Sequence, residues 1–187
     1  MKKIFLIVLA LILTCILILL LTIYSIKTDK TNTEIINIDT FYKSEVIGNY
    51  KDVRKLKKDY SIEDAKKDKC YIPSYKYDYN LKVYEEFIKE YNNKEKSFIR
   101  VALPTDEGDL ILYDILYDGN KVYTVIDSTR DRYSSSINRN VDFQIFDSLI
   151  EYKDNSGSIW VILYNGEFKG EYQLALYSSI GFKINKK

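Results

Sequence analysis

Residues 97–128 read SFIRVALPTDEGDLILYDILYDGNKVYTVIDS, and the pattern in this stretch decides the fold. Ser97–Leu103, Asp109–Tyr117 and Lys121–Ser128 are rich in β-branched, aromatic and aliphatic residues, with Asp118-Gly119-Asn120 between the last two. Such residues fit a pleated, half-buried surface, and an Asp-Gly turn tolerates the positive φ of a tight hairpin. Similar runs follow at Val141–Tyr152, Ile159–Asn165 and Tyr172–Phe182, with turns at Asp154-Asn155-Ser156-Gly157 and Gly166 to Gly170. Turns this short join antiparallel neighbours, so the pattern predicts a meander. Leu110–Tyr113 and Ile159–Leu163 are almost continuously apolar, which implies that more than one sheet face is covered, or a strongly curved sheet.

Two helices precede the strands. Ser61-Ile62-Glu63-Asp64 carries the pattern of a capping box and predicts a short helix to about Asp68. Asn80 is placed to cap a second helix over Leu81 to Asn92. Its face Leu81, Tyr84, Phe87, Ile88 and Tyr91 is apolar, and Lys82, Glu85, Glu86 and Lys89 lie opposite. The expected fold class is α+β: an N-terminal transmembrane helix, then one domain whose antiparallel meander sheet is packed by one main amphipathic helix.

Working outward to the N-terminus, residues 4–26 read IFLIVLALILTCILILLLTIYSI. A helix of that length spans about 34 Å, enough for a hydrocarbon core of about 30 Å. Lys2 and Lys3 precede it, which favours a cytoplasmic N-terminus and an extracellular domain. The run is longer than the apolar part of a cleaved signal peptide and lacks a small-x-small site. A lipoprotein reading through Cys15 conflicts with the apolar residues that continue beyond it. The expected organisation is a single-pass signal-anchor at 1–26, a polar stalk at 27–44 and an extracytoplasmic domain at 45–187 at the cell membrane. With Cys15 in the bilayer, Cys70 is the lone exterior thiol, so no internal disulfide is expected.

Composition narrows the chemistry. The 187 residues carry 28 Lys+Arg, 27 Asp+Glu and no histidine. A balance so near zero lacks the basic excess that nucleic-acid binding needs. Without histidine there is no Ser-His-Asp or Cys-His catalysis and no imidazole metal ligand. A nucleophilic Cys70 would lack an imidazole to lower its pKa, so it reads as a small buried apolar residue.

The middle of the chain resembles a known family. Asp106-Glu107-Gly108-Asp109, Tyr113 to Gly119 and the segment Asp127-Ser128-Thr129-Arg130-Asp131-Arg132-Tyr133 are similar to domain of unknown function 4362. That family comprises small exported, often lipid-anchored proteins of low-GC Gram-positive bacteria. Asp59-Tyr60-Ser61 with Ala65, and Tyr84–Phe87 followed by Ile99-Arg100-Val101, extend the likeness to about residues 59–165. The resemblance implies export and an α+β architecture; the family has no established activity and lends no catalytic residue. Two cysteines common in its late strands are missing from Val141–Phe146 and Leu163–Gly166. Ile72 to Tyr79 replaces its usual polar loop before the helix.

Three groups are candidate sites. Asp127, Ser128, Arg130, Asp131 and Tyr133 could form a ligand pocket at a strand end, with Arg130 taking a carboxylate or phosphate. The alternative is a loop closed by caps and an ion pair. Asp106, Glu107, Asp109, Asp114 and Asp118 lack the spacing of a Ca²⁺ loop and read as turn acids. Tyr75, Tyr77 and Tyr79 share one face of an extended segment and suit either sugar stacking or packing against the second helix. No metal or cofactor is expected. The expected function is binding of an envelope protein or cell-wall ligand beside the membrane, without catalysis. The alternatives are an envelope hydrolase using Asp127 and Asp131, and an immunity-type or assembly protein that binds another protein.

Overall fold

The computed structural model describes residues 12–19, 34–73, 78–135, 138–155 and 159–166, with the backbone of 181–184. The chain divides into two compact units, residues 1–34 and 35–187. In the first, residues 12–19 are helical (α1), with Leu13, Leu17, Ile18 and Leu19 exposed. Among the described residues, no helix is long and apolar enough to cross a membrane. The rest of the apolar run and of the stalk, residues 4–11 and 20–33, lies outside the described residues.

The second unit is α+β. Strands β1 (Ser97–Pro104), β2 (Leu110–Tyr117), β3 (Val122–Asp127) and β4 (Val141–Phe146) form an antiparallel meander in the order β1-β2-β3-β4. Asp118 closes the β2–β3 turn: its carboxylate accepts the N–H groups of Asn120 and Lys121 at 2.8 Å each, and Gly119 takes φ +97°. Strands β5 (Ser148–Lys153), β6 (Ile159–Tyr164) and β7 (Gly181–Ile184) make a second antiparallel sheet, ordered β5-β6-β7.

One expected strand is therefore two. Val141–Tyr152 breaks at Asp147, because the backbone there changes partner from β3 to β6. The Asp147 N–H donates to Tyr164 O and to Asn165 Oδ1. Its carboxylate binds Lys121 and accepts the Gly166 N–H at 2.8 Å. The residue thus ties the corner to both sheets. Of the run Tyr172–Phe182, residues 172–180 lie outside the described part, as do 167–170 of the third turn and 156–158 of the second.

Alternation along β1–β3 sends side chains to two covered faces. One face presents Ile99, Val101, Ile115, Tyr117 and Val122 to helix α4 (Leu81–Asn92) and to Leu149, Val161 and Leu163 of the second sheet. The other presents Ala102, Leu112, Leu116 and Val125 to an N-terminal cover. That cover holds α2 (Ile38–Phe41), 3₁₀ turns at Glu45–Ile47 and Val53–Lys55, and α3 (Ile62–Lys67). Both faces are buried, which explains why these strands read as nearly unbroken apolar runs.

The cover moves the domain boundary. Ile35 to Ser44, expected in the stalk, belong to the folded unit: Phe41 is fully buried, and Asn37 and Thr40 form a capping box for α2. Its five apolar residues are mixed with five polar ones, which by composition reads as a linker. Truncating a buried Phe typically costs about 3–5 kcal/mol, so Phe41 alone anchors the cover substantially.

Helices α3 and α4 match their expected positions. The Ser61 N–H donates to Asp64 Oδ2 at 2.9 Å and the Asp64 N–H to Ser61 Oγ at 3.3 Å, completing the capping box. Helix α3 ends with Lys69 in the left-handed region and the Cys70 N–H bonded to Ala65 O at 2.9 Å, a Schellman closure. Tyr84, Phe87 and Ile88 of α4 are buried as its period requires. Asn80 departs from expectation. Its backbone is left-handed, φ 56°, and its side chain caps nothing in α4; instead its amide donates to Cys70 O at 2.8 Å.

Candidate functional site

The segment Asp127–Tyr133 leaves the end of β3, and the structure disperses its side chains. Asp127 is buried; its Oδ2 accepts from Arg130 Nη1, and its Oδ1 accepts the Thr129 N–H at 3.0 Å. Arg130 reaches into the cover, where Nη2 donates to Val53 O at 3.2 Å and to Leu56 O at 3.4 Å. Ser128 Oγ donates to Asn138 O at 2.6 Å and fixes the approach to β4. Asp131 Oδ1 accepts the N–H groups of Tyr133 and Ser134, an Asx turn at the surface. Tyr133 is 70% exposed. Asp127 and Arg130 are together, whereas Ser128, Asp131 and Tyr133 serve separate contacts.

The acidic group is equally scattered. Asp106 and Glu107 are exposed at the β1–β2 turn, Asp109 pairs with Arg132 at 2.8 Å, and Asp118 caps its own hairpin. The guanidinium of Arg132 holds the Asp109 carboxyl below its usual range. Among the described residues, no three metal-ligating side chains converge. Tyr75 and Tyr77 lie outside the described residues; Tyr79 is exposed, with Lys66 Nζ 4.0 Å above its ring. Cys70 is fully buried beside Tyr60 Oη at 3.5 Å, and burial pushes its thiol up from 9.0 to about 11.

A pairing that the sequence reading missed lies on the covered face. The β1–β2 register sets Arg100 directly opposite Asp114, and both are buried. Arg100 Nε donates to Asp114 Oδ1 at 2.5 Å and Nη2 to Oδ2 at 2.6 Å, a bidentate pair. Tyr42 Oη donates to Asp114 Oδ2 at 2.6 Å, and Arg100 Nη2 also donates to Lys51 O at 2.6 Å. Burial lifts the Asp114 carboxyl, and the Arg100 guanidinium pulls it back. Burial likewise opposes the charge of Arg100, but Asp114 outweighs it and the side chain stays cationic. Burial, reinforced by Asp114, pushes Tyr42 far above its ordinary value. The available signal was a single charge inside each apolar strand, IRVAL and LYDIL, on the same face once the hairpin is closed.

Beside this pair the cover forms a cavity of about 810 Å³ that is open to solvent. Tyr50, Leu56 and Tyr60 wall it, Arg100 is among its lining, and lysines surround it. The Tyr50 ring lies 5.3 Å from the Arg100 guanidinium, and burial pushes its hydroxyl up to about 12. A smaller cavity of about 540 Å³ lies between α4 and β1, with Glu45, Glu86 and Glu90 among its lining. There Ser97 Oγ is buried without a hydrogen-bond partner, and burial, with Glu86 and Glu95 nearby, raises the Glu90 carboxyl. Neither cavity is lined by Asp127, Ser128, Arg130, Asp131 or Tyr133.

Residues 72–161 match the family described as Domain of unknown function (DUF4362). The span is narrower than the resemblance traced from residue 59, and it contains β1–β5, α4 and the Arg100–Asp114 and Asp127–Arg130 pairs. No curated protein and no solved structure matches the chain.

Proposed function

We propose that this chain, whose residues 72–161 match the DUF4362 family, is a membrane-anchored extracytoplasmic binding domain whose ligand occupies the larger cavity. The anchor rests on the apolar run of residues 4–26 and on Lys2 and Lys3 before it. One observation carries the binding reading: a cavity of about 810 Å³ formed by a cover that two buried arginines fasten to the sheet. Concave, largely preformed sites with apolar walls and a few fixed polar groups are the usual form of ligand pockets. Asp127 is bonded to Arg130 and Thr129, and Asp131 to its own turn, which favours binding over the carboxylate-pair hydrolase.

Topology is tested with Tyr133→Cys in a Cys15→Ser background, Cys70 being buried. A membrane-impermeant maleimide is expected to label the variant on intact cells. Labelling that appears only after permeabilisation would overturn the extracytoplasmic assignment.

A further inference from the structure

The larger cavity has a charge that the chain as a whole does not. Lys51, Lys55, Lys57, Lys67 and Lys69 line it, against Asp64 and Asp68. The whole chain carries a formal net charge of only +1. Asp64 pairs with Lys57 at 2.8 Å, whereas Asp68 accepts only from the neutral Tyr60 Oη at 2.8 Å and keeps its charge. Lys51, Lys55, Lys67 and Lys69 have no ion-pair partner among the described residues. Other lysines do find one, as Lys66 does with Glu63 and Lys121 with Asp147. Five lysines against two carboxylates, from the stretches 51–57 and 64–69, thus leave an excess of three positive charges around one cavity.

Arg100 is an independent observation. It is 1% exposed and lines the cavity, with Nε and Nη2 bonded to Asp114 and Lys51 O. Its Nη1 has no protein acceptor among the described residues. Among the described residues only Ser97 Oγ is both fully buried and unpartnered, so Arg100 Nη1 is not sealed from solvent and stays open to an acceptor on a ligand. We infer that this cavity binds the phosphate group of a phosphate ester, with Arg100 Nη1 and the surrounding lysines as donors. The inference rests on the binding reading above and adds the chemical class of the ligand.

Phosphate suits the arrangement because its several acceptor oxygens can meet donors arriving from different directions at once. The volume exceeds that of a phosphate ion, so the group is carried on a larger body, which the Tyr50, Leu56 and Ile47 walls accept through apolar contact. Two sources share this chemistry: the headgroup of an anionic lipid and a soluble phosphate ester.

Titration calorimetry on the full chain in neutral-detergent micelles separates them. The probes are glycerol 3-phosphate, dihexanoylphosphatidylglycerol below its micellar concentration, and uncharged N-acetylglucosamine. Saturable binding is expected for a phosphate probe, weakened about tenfold or more in Lys51→Gln/Lys55→Gln/Lys69→Gln, roughly the loss of one charge-assisted bond. Circular dichroism and melting of that variant are expected to match the parent. Binding of the lipid probe alone assigns the headgroup; comparable binding of glycerol 3-phosphate assigns the soluble ester. Absence of saturable binding for both phosphate probes, or affinities unchanged by the triple substitution, would overturn the inference. If N-acetylglucosamine alone binds, and Asn49→Trp at the cavity wall abolishes it, the binding reading stands and the phosphate class falls. Silence from all three probes removes both.

Discussion

The two faces of the β1–β3 sheet are buried by different physics. On the α4 face the partners are a regular helix and a second sheet, whose backbone groups satisfy one another, and the contact is made of Ile99, Val101, Ile115 and Phe87. On the opposite face the cover is two short helices joined by 3₁₀ turns and loops, and the carbonyls of those turns and loops have no ladder to join. There Arg100 of β1 and Arg130 of the turn after β3 bind the carbonyls of Lys51, Val53 and Leu56, while Asp114 and Asp127 neutralise them. An irregular layer can cover a sheet only if its buried backbone acceptors are met. The cost is two buried ion pairs, whose desolvation makes them fragile when one partner is lost.

The largest expected effect breaks that contrast directly. Arg100→Met strands Asp114 in the core and frees Lys51 O, for a loss of about 3–5 kcal/mol by denaturant unfolding. Ile99→Val, the adjacent residue on the α4 face, is expected to cost about 1 kcal/mol. Combining Arg100→Met with Asp114→Leu should recover most of the loss. A double variant as unstable as the single one would show that the pair is not what holds the cover.

An intermediate effect uses pH. The folded Cys70 thiol is raised from 9.0 to about 11, so its protonated form is favoured by folding. The contribution is fully present below pH 9 and lost as pH climbs to about 11, amounting to about 2 kcal/mol. Cys70→Ala should lose less stability than the parent over that window, measured as the difference between their unfolding curves. Parallel curves would mean that the thiol ionises as readily in the folded cover as in the unfolded chain.

The smallest effect concerns the join between α3 and the strand region. Lys69 holds φ 59°, a conformation that an L side chain adopts at a cost. Lys69→Gly should therefore stabilise by about 1 kcal/mol or less, visible as a modest rise in melting temperature. A fall would mean that the Lys69 side chain contributes more than its backbone strain removes.

Legibility followed the range of the interactions. Helix α3 announced itself through Ser61 and Asp64, three residues apart, and α4 through its own period. The β2–β3 turn was readable because Asp118 and Gly119 act within four residues. Val141–Tyr152 was not readable as two strands, since nothing local at Asp147 foretells bonds to Tyr164, Asn165 and Lys121. Asn80 had the residue type of a cap but was drawn to the Cys70 carbonyl ten residues back. The candidate site suffered most. An ion pair of Arg130 with some acid was expected, but that the acid is Asp127, and that Arg130 also reaches the carbonyl of Val53 more than seventy residues away, was not legible.

By itself the sequence determined the α+β class, the hairpin meander, the two principal helices and the exclusion of histidine chemistry, because each depends on residue type or on spacing within one element. Only the tertiary structure decided that Ile35–Ser44 joins the core, that Arg100 faces Asp114, and that lysines from residues 51–69 surround one cavity. Those outcomes depend on which distant backbone groups lack partners once the sheet is covered, and that deficit exists only in the assembled fold.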